Sequence, residues 1–351
     1  MRAALEKWLT DIWYSGAEPP WLLRSLETIY RTVIPSPGSI REASLSPVPI
    51  IVVGNLTAGG TGKTPLVIAL CKQLLAAGLN PGVISRGYGR KGKGLHIVST
   101  EDDPAVCGDE SLLLKAETGV PVILAEDRRL AITAMKGQSV DVIIADDGLQ
   151  NKNLQRDIEI CLVDGARLFG NRHLLPAGPL REPLKRLETV DYVVINGDEA
   201  DLHDFLKLAG NLGLTINQSV VKMGLTASHI EPLNNATAQQ SSAGMDNWDA
   251  RKVYAVAAIG NPTRFANTLQ AMGIETELHA FADHHVYTAN DFTAMDKYPI
   301  MMTAKDAVKC KWLDLEDAWV LSVEAEIEAG FWEGLIRDIN SLLNNKSENS
   351  A

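Results

Sequence analysis

Cysteine is scarce in this 351-residue chain, and the few that occur stand apart. Cys71, Cys107, Cys161 and Cys310 form no Cys-x-x-Cys pair. That excludes a zinc site of ordinary spacing and a disulfide framework, and it fits a reducing, cytoplasmic compartment. Basic charge is also short, with 33 Lys and Arg against 44 Asp and Glu. The resulting net charge of −11 argues against nucleic acid as a partner, because such binding needs a basic face. No run of about 18 apolar residues exists, so no transmembrane helix is expected. The N-terminus lacks a compact apolar core followed by a small-residue cleavage site, so no signal peptide is expected. No internal repeat is visible. The remaining composition is that of a globular protein, 46% hydrophobic and 22% charged, with length enough for two cores.

The segment from Pro49 to Pro65 carries the strongest signal. The apolar run Ile50-Ile51-Val52-Val53 reads as a buried strand, and it breaks into a glycine-rich turn ending in Gly62-Lys63-Thr64. Helical spacing resumes from Leu66 to Leu75. A strand, loop and helix in this order wrap backbone N–H groups around a phosphate and aim a helix N-terminus at it. Thr57, Ala58, Gly59, Gly60, Thr61, Gly62, Lys63 and Thr64 would then cradle a nucleoside triphosphate. Lys63 would reach the β/γ-phosphates, and Thr64 would place its hydroxyl on Mg²⁺. Thr57 stands where the common pattern has Gly, and Gly59 and Gly60 are expected to supply the φ > 0 freedom instead.

Further strands are expected at 82–85, 95–98, 120–124, 140–145, 158–163 and 192–195, with helices between several of them. The fold class is α/β, a P-loop NTPase-like parallel sheet with helices on both faces. From 226 to 250 the composition shifts to Asn, Gln, Ser and Ala, which marks a linker. A second, smaller α/β domain follows over 251–351, and the first spans 35–225. In the second domain, strands are expected at 252–259, 275–280, 300–303 and 319–323, with helices at 262–272 and after Phe331. From Asn344 onward a polar tail is expected to fray.

Asp146 and Asp147 end an apolar strand, the position at which a P-loop protein holds Mg²⁺ or its bound water. Asp109 and Glu110 precede a helix, where they act either as charges on its N-terminus or as a general base. Spacing leaves both readings open. The Asp283-His284-His285 stretch is either structural or a proton-transfer group, since no further ligands flank it for a metal. The loop from Arg86 to Gly94 carries Arg86, Arg90, Lys91 and Lys93 and no acid. It reads as a solvated loop or as a seat for an anionic partner.

Residues 1–34 hold three of the seven Trp residues and two amphipathic stretches. Leu5, Trp8, Leu9 and Ile12 share one helical face, and Leu22, Leu26, Ile29, Tyr30 and Val33 share another. Balanced charge gives no pull toward anionic lipid, so these are helices packed on the domain or an interfacial anchor.

Seven motifs assemble in order: 54–65, Ser-Arg-Gly-Tyr-Gly at 85–89, Gly-Asp-Glu at 108–110, Asp-Asp-Gly-Leu-Gln at 146–150, Leu-Pro-Ala-Gly-Pro-Leu-Arg-Glu at 175–182, Phe-Ala-Asp-His-His at 281–285 and Thr-Ala-Lys-Asp-Ala-Val-Lys at 303–309. In order and spacing the chain resembles the tetraacyldisaccharide 4′-kinases, the lipid A 4′-kinases of Gram-negative bacteria. Ala304 stands where that family more often has Glu.

The resemblance implies transfer of the γ-phosphoryl group of ATP, with Mg²⁺, to the 4′-hydroxyl of a tetraacylated disaccharide 1-phosphate, giving lipid IVA. It implies Asp109 as base, His284 as its partner, and Lys63 at the phosphates. Thr64, Asp146 and Asp147 fall on the metal side, joined by Glu182 as an active-site acid. It further implies a peripheral enzyme on the cytoplasmic face of the inner membrane, anchored by residues 1–34, with the Arg86–Lys93 loop near the substrate's 1-phosphate or lipid head groups. No obligate protein partner is inferred. Since Asp109 and His284 lie in different domains, the pair is expected to form only on hinge closure. A membrane-associated P-loop ATPase switch and a soluble small-molecule kinase are the rival readings.

Overall fold

A computed structural model describes residues 2–34, 46–151, 153–234 and 251–348. The expected boundary between residues 34 and 35, and residues 235–250 of the expected linker, fall at or outside the limits of the described residues. The strands are β1 (Ile50–Gly54), β2 (Pro81–Ser85), β3 (His96–Ile97), β4 (Val122–Leu124), β5 (Val142–Asp146), β6 (Ile158–Asp164), β7 (Tyr192–Asn196), β8 (Ser219–Pro232), β9 (Lys252–Ala257), β10 (Glu275–Ala280), β11 (Ile300–Thr303) and β12 (Ala318–Ile327). The helices are α1 (Arg2–Tyr14), α2 (Trp21–Val33), α3 (Lys63–Ala76), α4 (Pro104–Cys107), α5 (Asp109–Thr118), α6 (Arg128–Met135), α7 (Glu199–Asn211), α8 (Pro262–Ala271), α9 (Ala304–Cys310) and α10 (Ala329–Glu348).

β1, β2, β5, β6 and β7 are buried along their whole length, as strands covered by helices on both faces must be. Ile51 and Val53 of β1 pack with Leu66, Val67 and Leu70 of α3. Ile50 and Val52 join Ala131, Ile132 and Met135 of α6 in a separate core. The alternation of side chains along β1 thus divides one apolar run between two layers.

Two expectations about domain organisation need correction. Among the described residues the strands form one sheet, ordered β10-β9-β11-β12-β8-β7-β6-β1-β5-β2-β4-β3. Residues 226–232, expected as linker, belong to β8. This strand runs parallel to β7 through Ser219–Met223 and antiparallel to β12 from Met223 to Pro232. Its mixed burial hides it from a reading based on apolar runs. The closing helix also departs from expectation. Phe331, Trp332, Leu335 and Ile339 of α10 pack into the core that holds Ile51 and Leu66, so the C-terminus returns to the first half. The helix continues through Glu348, past the expected fray at Asn344. Periodicity shows that a helix has an apolar face but not what covers it.

α1 and α2 form, but α2 is mounted with its apolar side outward. Trp21, Leu22, Ile29 and Val33 are 77, 55, 61 and 72% exposed, whereas Leu23 and the charged Glu27 are buried. Glu27 accepts from the N–H of Leu174 at 3.1 Å and meets His173 Nδ1 at 2.7 Å. Trp13 Nε1 donates to the carbonyl of Pro176 at 3.0 Å, and the Tyr30 hydroxyl donates to that of Arg181 at 3.1 Å. Polar bonds dock these helices on the segment 173–181. None of the described helices is long and apolar enough to cross a membrane.

Candidate active site

The loop after β1 opens at the C-terminal ends of β1, β5 and β6, where ligands sit in open α/β sheets. Gly59 and Gly62 take the positive φ values, 108° and 93°. Gly60 does not, and its contribution is closeness. A Cβ built on Gly60 would lie 3.6 Å from the Cα of Gly260, the tip of the β9–α8 turn. Gly62 is the left-handed residue ahead of α3, so the first free N–H groups of that helix point into the loop. Asn196, at the end of β7, donates to the carbonyl of Thr61 at 2.8 Å and accepts from Arg264 of α8 at 2.9 Å.

The start of the loop is fixed from the other side. Ala58 N donates to the carbonyl of Pro179 at 2.7 Å, and Arg181 N to that of Leu56 at 2.7 Å. Thr57 is buried in this ladder, opposite Leu180. A side chain where the common pattern has Gly is accommodated because the 174–182 segment pairs with the loop at this point.

Lys63 Nζ lies 3.2 Å from Asn55 Oδ1 and 3.5 Å from Asp147. Asp147 also receives Arg181 Nη1 at 3.0 Å. Burial pushes the Asp147 carboxyl up, but Lys63 and Arg181 outweigh it and hold the group below its usual range. Asp146 behaves oppositely. Burial, with Glu110 and Asp147 as anionic neighbours, raises it to about 6 against the pull of Lys63 and Arg128. Its Oδ1 is buried and has no hydrogen-bond partner among the described residues. An orphaned carboxylate oxygen in the cleft that Thr64 and the loop also line is what a hard divalent cation requires. Among the described residues no cage of three or more His, Cys, Asp or Glu exists, so a cation there would take its other ligands from phosphate and water.

Asp109 opens α5 and is 7% exposed. His284 Nδ1 lies 3.2 and 3.1 Å from its two oxygens. The pair therefore exists without further closure, contrary to the expectation that it forms only when domains move. The continuous sheet is the reason, because it sets the two halves in place. Burial raises Asp109, but the hydrogen bond from His284 and the charges of Lys305, His284 and Lys309 bring it down to about 2. The same hydrogen bond raises His284 above its ordinary value, against burial and Lys305. His284 adopts φ +60°, a strained conformation for a side-chain-bearing residue.

One cleft of about 2080 Å³ joins the loop, the two aspartates at the end of β5 and His284, and Gly108 and Glu110 line it on either side of the buried Asp109. It is lined by Gly60, Lys63 and Thr64, by Asp146 and Asp147, by His284, and by Leu9, Trp13 and Tyr30 of the N-terminal helices.

Residues 20–340 match the sequence profile of the tetraacyldisaccharide-1-P 4′-kinases. The chain belongs to this family. It is 40% identical to the tetraacyldisaccharide 4′-kinase of Hahella chejuensis (strain KCTC 2396), covering 97% of this chain and 99% of the relative. It is 42% identical to that of Xanthomonas axonopodis pv. citri (strain 306), covering 94% and 95%. Its fold is also that of LpxK from Aquifex aeolicus, solved in complex with ATP. The TM-score is 0.68 at 27% identity, with 92% of this chain and 95% of the other covered.

For this family member, the remaining expected acid sits apart. Glu182 does not line the cleft; it is buried against Arg186 at 3.3 Å, in a network with Glu159 and Arg156. Arg86, Tyr88 and Gly89 of the basic loop do reach the cleft, while Arg90 turns back onto the Gly94 carbonyl. His285 stacks on Phe281 at 4.7 Å and contacts Asp291 at 3.3 Å, a structural role. Arg128 and Lys305 are among the cleft residues that had no role in the sequence reading. Arg128 donates to the Asp146 carbonyl at 2.8 Å, and Lys305 meets three acids. Lys305 lies in the Thr-Ala-Lys-Asp motif, which was the available signal.

Proposed function

We propose that the chain transfers the γ-phosphoryl group of ATP to the 4′-hydroxyl of a tetraacyldisaccharide 1-phosphate, working from the membrane surface. The observation that carries this is the shared cleft: it is lined by the triphosphate-binding loop, by Leu9 and Trp13, and by His284, whose Nδ1 is 3.1 Å from the buried Asp109. A lipid acceptor has to be reached from a surface that tolerates acyl chains, and the outward apolar side of α2 offers one. That side also favours this reading over a soluble small-molecule kinase.

In this mechanism the loop amides and Lys63 hold the β/γ-phosphates, and Lys63 leaves Asp147 to do so. Thr64 and Asp146 would hold Mg²⁺, with Asp147 oriented by Arg181 beside them. When bound, the ion neutralises charge on the transferring phosphoryl oxygens. Asp109 accepts the proton of the 4′-hydroxyl, and His284 fixes the carboxylate through Nδ1. A carboxylate held near pH 2 is a weak base. It suffices because a loose phosphoryl-transfer transition state releases the proton late, and positioning supplies most of the rate. Glu182 then acts indirectly, by bracing the segment that carries Arg181.

Incubation with γ-labelled ATP and the tetraacyl disaccharide acceptor in mixed micelles tests the reading. Label on the lipid is the expected result. ATP turnover indifferent to the lipid would instead identify an ATPase switch.

A further inference from the structure

Three carboxylates from two distant segments converge on one ammonium. Lys305 Nζ, in the first turn of α9, lies 2.9 Å from Glu110, 3.2 Å from Asp283 and 3.9 Å from Asp109. Glu110 and Asp109 open α5, and Asp283 immediately precedes His284. The Lys305 side chain is largely buried, and its backbone is anchored. Thr303 caps α9 through Asp306, which is fully buried, accepts from Ala258 N at 3.1 Å and pairs with Lys309 at 2.7 Å. An ammonium has three donors, so it can bind several acids that would otherwise repel one another.

We propose that Lys305 is a positioning residue for phosphoryl transfer: it ties the Asp283 turn to the head of α5, so that His284 is held on Asp109, and its charge sets where that pair changes protonation. The inference rests on the lipid-kinase reading. The groups facing His284 are Asp109 from α5, Asp283 beside it, Lys305 from α9 and the Tyr88 ring at 5.8 Å; Glu110 of α5 acts on Lys305, and Lys309 acts on Asp109 from farther along α9. Lys305 is the cation that opposes the imidazolium form of His284. The surrounding acids outweigh burial and raise Lys305 itself, so it stays charged across the working range. Without it, His284 faces anions alone and keeps its proton to higher pH.

The test is the pH profile of lipid phosphorylation for Lys305→Met, Lys305→Gln and Lys305→Arg, beside wild type and His284→Ala. His284→Ala identifies the limb that belongs to His284. In the two neutral variants kcat falls by ~10- to 100-fold at neutral pH while the KM for ATP stays within about two-fold. Their His284 limb moves to higher pH, and Lys305→Arg restores both its position and most of the rate. Folded neutral variants with wild-type rate, or with reduced rate and an unmoved limb, overturn the proposal. Asp283→Asn removes an anion from the same histidine and must move the limb to lower pH; an unmoved limb there overturns it too, whether or not the lysine variants fold. Wild-type enzyme that labels no lipid overturns the kinase reading itself, an outcome separate from all of these.

Discussion

His284 Nδ1 lies 3.1 Å from Asp109 Oδ2, although 175 positions separate the two in the chain. One residue opens a helix of the first half of the sheet, and the other sits in the turn after β10. Both contribute to a single function only if they act on the same step. Asp109→Asn and His284→Ala should therefore each lower kcat by ~10²- to 10⁴-fold, with ATP affinity near wild type. The double variant should be little worse than the poorer single one. Steady-state kinetics on all four proteins decide this. Additive losses would separate the two residues.

The same pair gives stability a pH signature. Asp109 is lowered from 3.8 to about 2, so its contribution is present above about pH 3.8 and is lost as pH falls through about 2. His284 is raised above 6.5, so its contribution is complete below that value and is lost as pH rises through the raised value. The pair stabilises most between about pH 4 and 6.5. The difference in melting temperature between wild type and His284→Ala should be larger at pH 5.5 than at pH 9. Equal differences at both values would mean that the contact does not depend on an imidazolium.

Gly62 is required for two separable reasons. Its φ of +93° disfavours any side chain, and an added Cβ would lie 2.4 Å from Asn196 Nδ2. Asn196 would then lose Thr61 and Arg264. Gly78 has a similar φ of +80° with nothing within 4 Å of an added Cβ. Gly78→Ala should cost about 1 kcal/mol and leave ATP binding unchanged. Gly62→Ala should cost more and weaken ATP binding by at least ~10-fold, measured by calorimetric titration. Equal behaviour of the two variants would remove the Asn196 contact from the explanation.

Much of this architecture is legible in local pattern. Ile50–Val53, the glycine turn and Lys63-Thr64 form one contiguous signal whose physics is local, and the structure shows the strand, loop and helix in that order, with Gly62 in place of Gly60 taking the second positive φ. Asp146 and Asp147 are legible because an apolar strand ends at them. β8 is not legible. Its residues mix buried, half-buried and exposed positions with no apolar run, and its end lies just before Asn, Gln and Ser begin to dominate. With β8 missed, the sheet looks like two domains joined by a linker, and the Asp109–His284 contact looks as if it must await closure. The ring of acids around Lys305 was hidden for a related reason. Its contact with Glu110 spans 195 positions, and no spacing rule reaches so far. Motif resemblance supplied the Asp–His pair, where spacing alone left two readings open.

α2 separates docking from surface chemistry on one helix. Leu22 and Ile29 are exposed and have no core to lose, so Leu22→Gln with Ile29→Gln should change stability by less than about 0.5 kcal/mol. Glu27 is buried and satisfies both His173 and the Leu174 N–H, so Glu27→Ala should cost ~1–3 kcal/mol by leaving them unpaired. If the outward face meets lipid, the ranking reverses in vesicle co-sedimentation. The double Gln variant should lose most binding, because each exposed apolar side chain removed from the interface forfeits on the order of 1.5 kcal/mol or more. Glu27→Ala should sediment like wild type wherever it remains folded. Lipid phosphorylation in vesicles should follow sedimentation, while ATP affinity in solution stays unchanged in the Gln variant. Retained vesicle binding and activity in that variant would place the membrane contact elsewhere and leave the exposed face of α2 without this role.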